Sequence, residues 1–150
     1  MKKIAFLLSI CAVVSLSACK TTNGTDPITT AQTITETLVT TAWKVDKITD
    51  TNGTIINPNN LPAESRALFG VNIQFNDDKT VRAIDPVART IVNGGKWGIS
   101  ADNQILDIDI SQLKGQFPIV SIKKDRMILK NNISVSGLTL TVNLELVPAL

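Results

Sequence analysis

From Thr41 onward apolar and polar residues alternate along most of the chain. A period of two is the mark of strands with one buried face. Trp43 and Val45 alternate with Lys44 and Asp46, and Asn52-Gly53 is a strong turn, so residues 43–49 and 54–56 are predicted to form a hairpin. Residues 57–61 read as loop, and 62–69 (PAESRALF) as a short helix with Pro in its first turn and Gly70 as its stop. Val71, Ile73 and Phe75 then alternate with Asn72, Gln74 and Asn76. A turn at Asp77-Asp78-Lys79 and a return over 80–84 place Phe75 opposite Val81 and Ile73 opposite Ala83. Pro86 ends that strand or marks an edge.

Asn93-Gly94 is the best two-residue turn signal in the chain. It predicts a hairpin of 88–92 with 95–99, with Val92 opposite Gly95 and Thr90 opposite Trp97. Ala88, Thr90, Val92, Trp97 and Ile99 would then share one face. Leu106, Ile108 and Ile110 alternate with Asp107 and Asp109, which are assigned to a solvated outer face. Val120 and Ile122 precede Lys123-Lys124-Asp125-Arg126, and Met127 and Leu129 follow, so a four-residue loop puts all four apolar side chains on one face. Leu138, Leu140, Val142, Leu144 and Leu146 form the most regular strand, which Pro148 ends.

This pattern is all-β, with eight to ten short strands and mostly tight turns. One buried face per strand implies antiparallel pairing, in a closed barrel or a sandwich. Sequential hairpins favour an antiparallel up-and-down β-barrel with one or two short helices, which also removes exposed edges.

The chain before Thr41 differs. Lys2 and Lys3 precede an apolar stretch at 4–16, too short for a membrane span of ~20 residues. Leu16-Ser17-Ala18-Cys19 closes it with small residues. The arrangement is that of an export signal over 1–18. Residues 19–30 are Thr-rich and read as a tether, ~35 Å long when stretched. The folded domain is assigned to 31–150. Within 28–40, Ile28, Ala31, Ile34 and Leu38 sit at helical spacing, although the many Thr residues oppose a helix.

Charge and composition narrow the chemistry. Without Lys2 and Lys3, basic and acidic residues are equal in number, so no basic stripe argues for nucleic acid. Cys11 falls within the signal, which leaves Cys19 as the one cysteine behind it. His and Tyr are absent, which removes the commonest general base and metal ligand. No Gly-rich phosphate loop, metal-ligand spacing or nucleophile elbow occurs, so neither a cofactor nor an enzyme is expected. The basic tip at Lys123, Lys124 and Arg126 is read as a solvated turn.

Leu16-Ser17-Ala18-Cys19 resembles the lipobox of bacterial lipoproteins. That resemblance implies cleavage before Cys19 and acylation of Cys19 by palmitate-type chains, with the membrane as a partner through the anchor. Lys20, rather than Asp, follows the cysteine, which favours the outer membrane. The segments LVTTAWKV at 38–45, VNIQFNDDKTV at 71–81, GGKWGISADNQILDID at 94–109 and SIKKDRMILK at 121–130 together resemble the lipocalin-like lipoproteins of Gram-negative bacteria. Two departures are Thr41 and Lys79, at positions where that family often has Gly. The resemblance implies a single lipocalin-like barrel with Trp43 closing its bottom. Trp43, Phe75 and Trp97 are the expected core aromatics. The functional expectation is a cell-envelope protein that binds a small, largely apolar ligand. The alternative is a filled barrel whose surface docks onto an envelope protein. The sequence leaves open whether the barrel is hollow.

Overall fold

The computed structural model describes residues 31–111, 113–135 and 138–149. Cys19, the export signal, the tether and Ile28 lie outside the described residues. A helix α1 (Ala31–Thr40) leads into strand β1 (Trp43–Asp50). A connection with 3-10 turns at Pro58–Asn60 and Leu68–Gly70 carries a short helix α2 (Ala63–Ala67). Seven strands follow: β2 (Asn72–Phe75), β3 (Thr80–Ile84), β4 (Ile91–Ile99), β5 (Ile105–Ile110), β6 (Leu113–Ile122), β7 (Met127–Val135) and β8 (Leu138–Pro148). Each strand pairs antiparallel with the next, and β8 pairs with β1 to close the ring. The fold is an eight-stranded antiparallel up-and-down barrel, the class that the alternation implies.

The register follows the sequence pattern where the turn chemistry is simple. Phe75 pairs with Val81 and Ile73 with Ala83. Leu106, Ile108 and Ile110 point inward, while Asp107 and Asp109 are exposed. The β1 turn is set by Asp50, whose carboxylate accepts the amides of Asn52 at 2.9 Å and Thr54 at 2.8 Å.

The Asn93-Gly94 hairpin is corrected. β4 runs straight through these residues, pairing Asn93 with Ala83 and Gly95 with Val81. The chain reverses earlier, at 85–90. There the Asp85 carboxylate accepts the amides of Val87 at 2.7 Å and Ala88 at 2.8 Å. The Asp85 amide donates to the Thr90 carbonyl at 2.9 Å, and Arg89 takes a positive φ of 56°. An Asp-Pro start with its own side-chain cap competes well with Asn-Gly as a turn. The glycine is needed elsewhere: a Cβ on Gly95 would lie 1.6 Å from the Asp109 carbonyl oxygen of β5. Ala88, Thr90 and Val92 are therefore exposed, while Trp97 is buried in the core and Ile99 packs partly buried against it.

Three further expectations change. The second strand at 54–56 is a single bridge, Thr49 to Ile55, because Asn57 starts a 3-10 turn by accepting the Asn59 amide. Val120 points outward and is 47% exposed, since a bulge between Ile119 and Ser121 inverts the alternation and leaves Ile122, Met127 and Leu129 inside. Leu138 and Leu140 are exposed because the β7–β8 hairpin outruns its neighbours. β8 pairs with β1 only as far as Val142, and β7 with β6 only as far as Leu129.

Inward side chains from all eight strands form one core with Ile34 and Leu38 of α1. α1 plugs the end of the barrel at which β1 begins. The helix is Thr-rich, but its two buried apolar residues are four apart, on one face.

Candidate functional site

The three core aromatics gather at the plugged end. Trp43 is fully buried and its indole N–H donates to the Leu38 carbonyl at 3.0 Å, which fixes the C-terminal turn of α1 against the sheet. The Trp97 indole N–H donates to the Asn76 carbonyl at 3.0 Å, and the Phe75 ring meets Trp97 edge-on at 5.4 Å. The Lys79 ammonium sits 4.0 Å from the Trp97 ring centroid and 3.5 Å from the Thr35 hydroxyl of α1. Lys79 has a φ of 64°, the left-handed conformation that explains a glycine preference at this turn position. Trp43, through Leu38, and Trp97, through Lys79 and Thr35, therefore join the plug to the wall.

The middle of the barrel is filled. Trp43, Phe75, Phe117, Ile108, Ile122 and Met127 are each less than 2% exposed. A chamber of a few hundred Å³, the size of a small-ligand site, would leave its lining accessible to water. These side chains occupy that volume instead.

The open end is different. β6 and β7 pair from Ile122 and Met127 up to Ile119 and Leu129, and then part. β6 continues for six residues to Leu113, and β7 continues to Val135, with no strand pairing between them among the described residues. Between the parted strands lies a cleft of about 340 Å³, walled on its third side by Pro62, Ser65 and Leu68 at α2. Its inner surface comes from Leu113, Phe117 and Ile133, and its outer margin from Lys114, Asn132 and Ser134. This cleft lies over side chains of the core, which are almost fully buried beneath it. A groove of about 440 Å³ beside α1 lies between Thr33, Thr37, Thr41 and Lys124, and among the described residues its lining comes from the helix, Thr41 and one turn.

Local sequence explains the parting. The Ile119 amide donates toward β5, to the Gln104 carbonyl at 2.7 Å. Backbone polar groups alternate sides along a strand, so those of Lys114, Gln116 and Pro118 face the β7 side. Pro118 lacks an N–H, and here the missing donor falls on the unpaired edge. Gly115 has a φ of 138° and open space where a Cβ would stand, so the inner row from Leu113 to Phe117 has a gap at its centre. On the opposite edge the Asn132 amide donates to the Asn131 side chain at 2.8 Å rather than to a strand.

The charges around the cleft are simple. Lys114 bonds Asp109 at 2.8 Å on the outer wall, and that carboxylate raises the lysine above its ordinary pKa. Asp107 and Asp109 share the outer face, and the described residues hold no cluster of three acidic, His or Cys side chains suited to a metal. Arg126 of the basic tip binds Glu145 at 3.2 Å, with Lys47 at 3.5 Å from the same oxygen. In the sequence, residues 113–118 carry only a weak strand signal, because Gly115 and Pro118 interrupt the alternation of Leu113 and Phe117.

No family model and no curated protein matches the chain. Among solved structures it is similar to a bovine odorant binding protein in complex with a selenium-containing odorant. The two are 22% identical over 77% of this chain and 73% of that chain, with a TM-score of 0.41. The barrel assignment rests on the strand pairing itself.

Proposed function

We propose that the chain is a non-catalytic binding protein of the cell envelope. In this reading it is lipid-anchored through Cys19 at the outer membrane and takes a small ligand, apolar on one side, in the cleft between β6, β7 and α2. The observation that carries the binding site is the parting of β6 and β7 over an apolar floor formed by Leu113, Phe117 and Ile133. The filled core moves the site from the barrel centre to its margin. A cleft of about 340 Å³ falls within the usual range for small-ligand sites. α2 buries none of its own five residues and is held by Leu61 before it and Leu68 after it. Phe69 beside Leu68 also packs on the core, so the lid is pinned at its two ends and its exposed middle leaves the floor within reach.

The test is titration of the protein with a polarity-sensitive apolar dye, alongside Ser134→Trp, which fills the cleft from its margin. Binding should be lost in the variant while thermal stability is kept. Dye binding that is unchanged by Ser134→Trp places the site elsewhere. Labelling of cells with an acyl-chain analogue should tag the wild type and spare Cys19→Ser, and fractionation should place the tagged protein in the outer membrane.

A second reading is favoured by the exposed side chains. Ile55, Val87, Ile91, Val92, Leu138 and Leu140 all lie at the open end, on connections and strand ends spread around the ring. Val120, on β6 toward the plugged end, is the exception, and exposed apolar groups gathered at one end are a feature of surfaces that meet a partner. A pull-down that loses its partner on Leu138→Ser, with dye binding intact, would favour this reading.

A further inference from the structure

We infer that the occupant of this cleft is an extended peptide segment, recognised by strand addition to the free edge of β6. The inference rests on the reading that the parted seam is the binding site, and it names the ligand class.

Three observations carry it. First, the unpaired groups are backbone. Lys114 and Gln116 present N–H and C=O groups toward the seam, and Pro118 presents a C=O without an N–H. An edge of this kind is matched by another chain's backbone, which offers donors and acceptors at the same spacing. A compact apolar molecule would leave those groups bonded only to water. Second, the floor suits alternate side chains. A strand lying along β6 turns every second side chain inward, toward Leu113, the gap over Gly115 and Phe117. The gap at Gly115 lies on the inner row, where an inward side chain of the added strand would sit. Third, one donor of the opposite edge is already taken, whereas among the described residues none on β6 is bonded by a side chain. Asn131 accepts the Asn132 amide at 2.8 Å, which occupies a β7 donor. Lys114 directs its charge outward to Asp109 at 2.8 Å and leaves its own backbone clear. The preferred segment is therefore extended, with small or branched apolar residues at alternate positions and no proline at the bonding positions.

The probe is a blocked hexapeptide of alternating Val and Thr, labelled for fluorescence anisotropy and titrated into the purified full chain. Its partner carries N-methyl groups on alternate amides, which removes donors and keeps the side chains. The unmethylated peptide should bind, and methylation should weaken it about tenfold or more, as expected for two lost hydrogen bonds. Hydrogen exchange read by NMR should show the Lys114 and Gln116 amides slowing on peptide addition, while β2 and β3 are unchanged. Gln116→Pro should abolish peptide binding, and its thermal unfolding is measured in parallel. The methylation pair needs no variant of the protein and decides the matter if Gln116→Pro fails to fold. Equal binding of both peptides overturns strand addition. Binding of the apolar dye without the peptide overturns the ligand class and leaves the cleft standing. Binding of neither overturns both.

Discussion

Gly95 and Gly94 are adjacent, yet the fold assigns them opposite sensitivities. At Gly95 a Cβ would stand 1.6 Å from the Asp109 carbonyl oxygen, 2.7 Å from the carbonyl carbon and 3.2 Å from the Ile110 methyl. Two of those atoms are backbone of a paired strand, so no side chain can rotate away. Gly95→Ala must push β4 from β5 beside the Lys96–Asp109 pair. Overpacking costs about 1–3 kcal/mol where side chains can yield, so about 3 kcal/mol or more is expected here. That is a large share of the roughly 5–15 kcal/mol that holds such a domain together. At Gly94 the nearest atom to an added Cβ is the Val81 carbonyl oxygen, at 3.8 Å, and the φ is not positive. Gly94→Ala should be neutral or stabilise by up to ~1 kcal/mol, through lost freedom in the unfolded chain. Urea unfolding followed by tryptophan fluorescence separates the two. With a slope of about 1–3 kcal/mol per molar urea, Gly95→Ala should lower the midpoint by about 1–3 M and Gly94→Ala should barely move it. A turn at Asn93-Gly94 would require the reverse, because the turn glycine needs positive φ. If Gly94→Ala costs more than Gly95→Ala, β4 does not run through these residues and the close crossing with β5 is wrong.

Lys79 holds a strained φ of 64° and a cation–π contact at 4.0 Å, so Lys79→Gly should be near neutral and Lys79→Ala about 1 kcal/mol less stable than Lys79→Gly, by thermal unfolding. Trp43→Phe removes the donor to the Leu38 carbonyl and part of the core, and should cost about 2–4 kcal/mol. Its hydrogen exchange should rise in α1 before it rises in β5. Four turn carboxylates, Asp50, Asp78, Asp85 and Asp102, are held below their ordinary pKa of 3.8, chiefly by hydrogen bonds from Thr54, Thr80, Ala88 and Ser100 respectively. A depressed folded pKa contributes stability above the unfolded value that is lost as pH falls through the folded one. Unfolding midpoints should therefore decline below about pH 3.8, and Asp85→Asn should be less stable than wild type at neutral pH but converge with it in acid.

The period-two pattern was enough to establish the class of the fold and much of its register, because alternation directly reports which face is buried. Phe75 opposite Val81 follows from residue type and turn length alone. The errors arose where one residue changes the count. The bulge beside Val120 leaves no mark in composition, yet it inverts every side chain after it. Asn93-Gly94 carries the strongest local turn signal, but the Asp85 cap satisfies two amides at once and the close crossing of β5 claims Gly95. Leu138 and Leu140 continue the alternation of β8 past the point where any core opposes them. Local pattern specifies a face; whether anything lies against that face is a tertiary fact.

The same distinction locates the candidate site. Pro118 and Gly115 look like flaws in a strand, since one lacks a donor and the other a side chain. In a fully paired barrel both would be costly. In this barrel Pro118 directs its missing donor away from β5 and into the seam, and Gly115 opens the inner row at the level where β7 has turned away. The two residues break the local rule for a central strand, and they do so on the one stretch of β6 that β7 leaves unpaired. Departures from local consistency collect where a structure keeps something other than stability. The middle of the barrel is packed with large apolar side chains, among them Trp43, Phe75, Phe117, Ile108, Ile122 and Met127. An interior packed to that degree supports the parted edge but cannot admit a guest, so whatever this barrel binds must meet it at the margin.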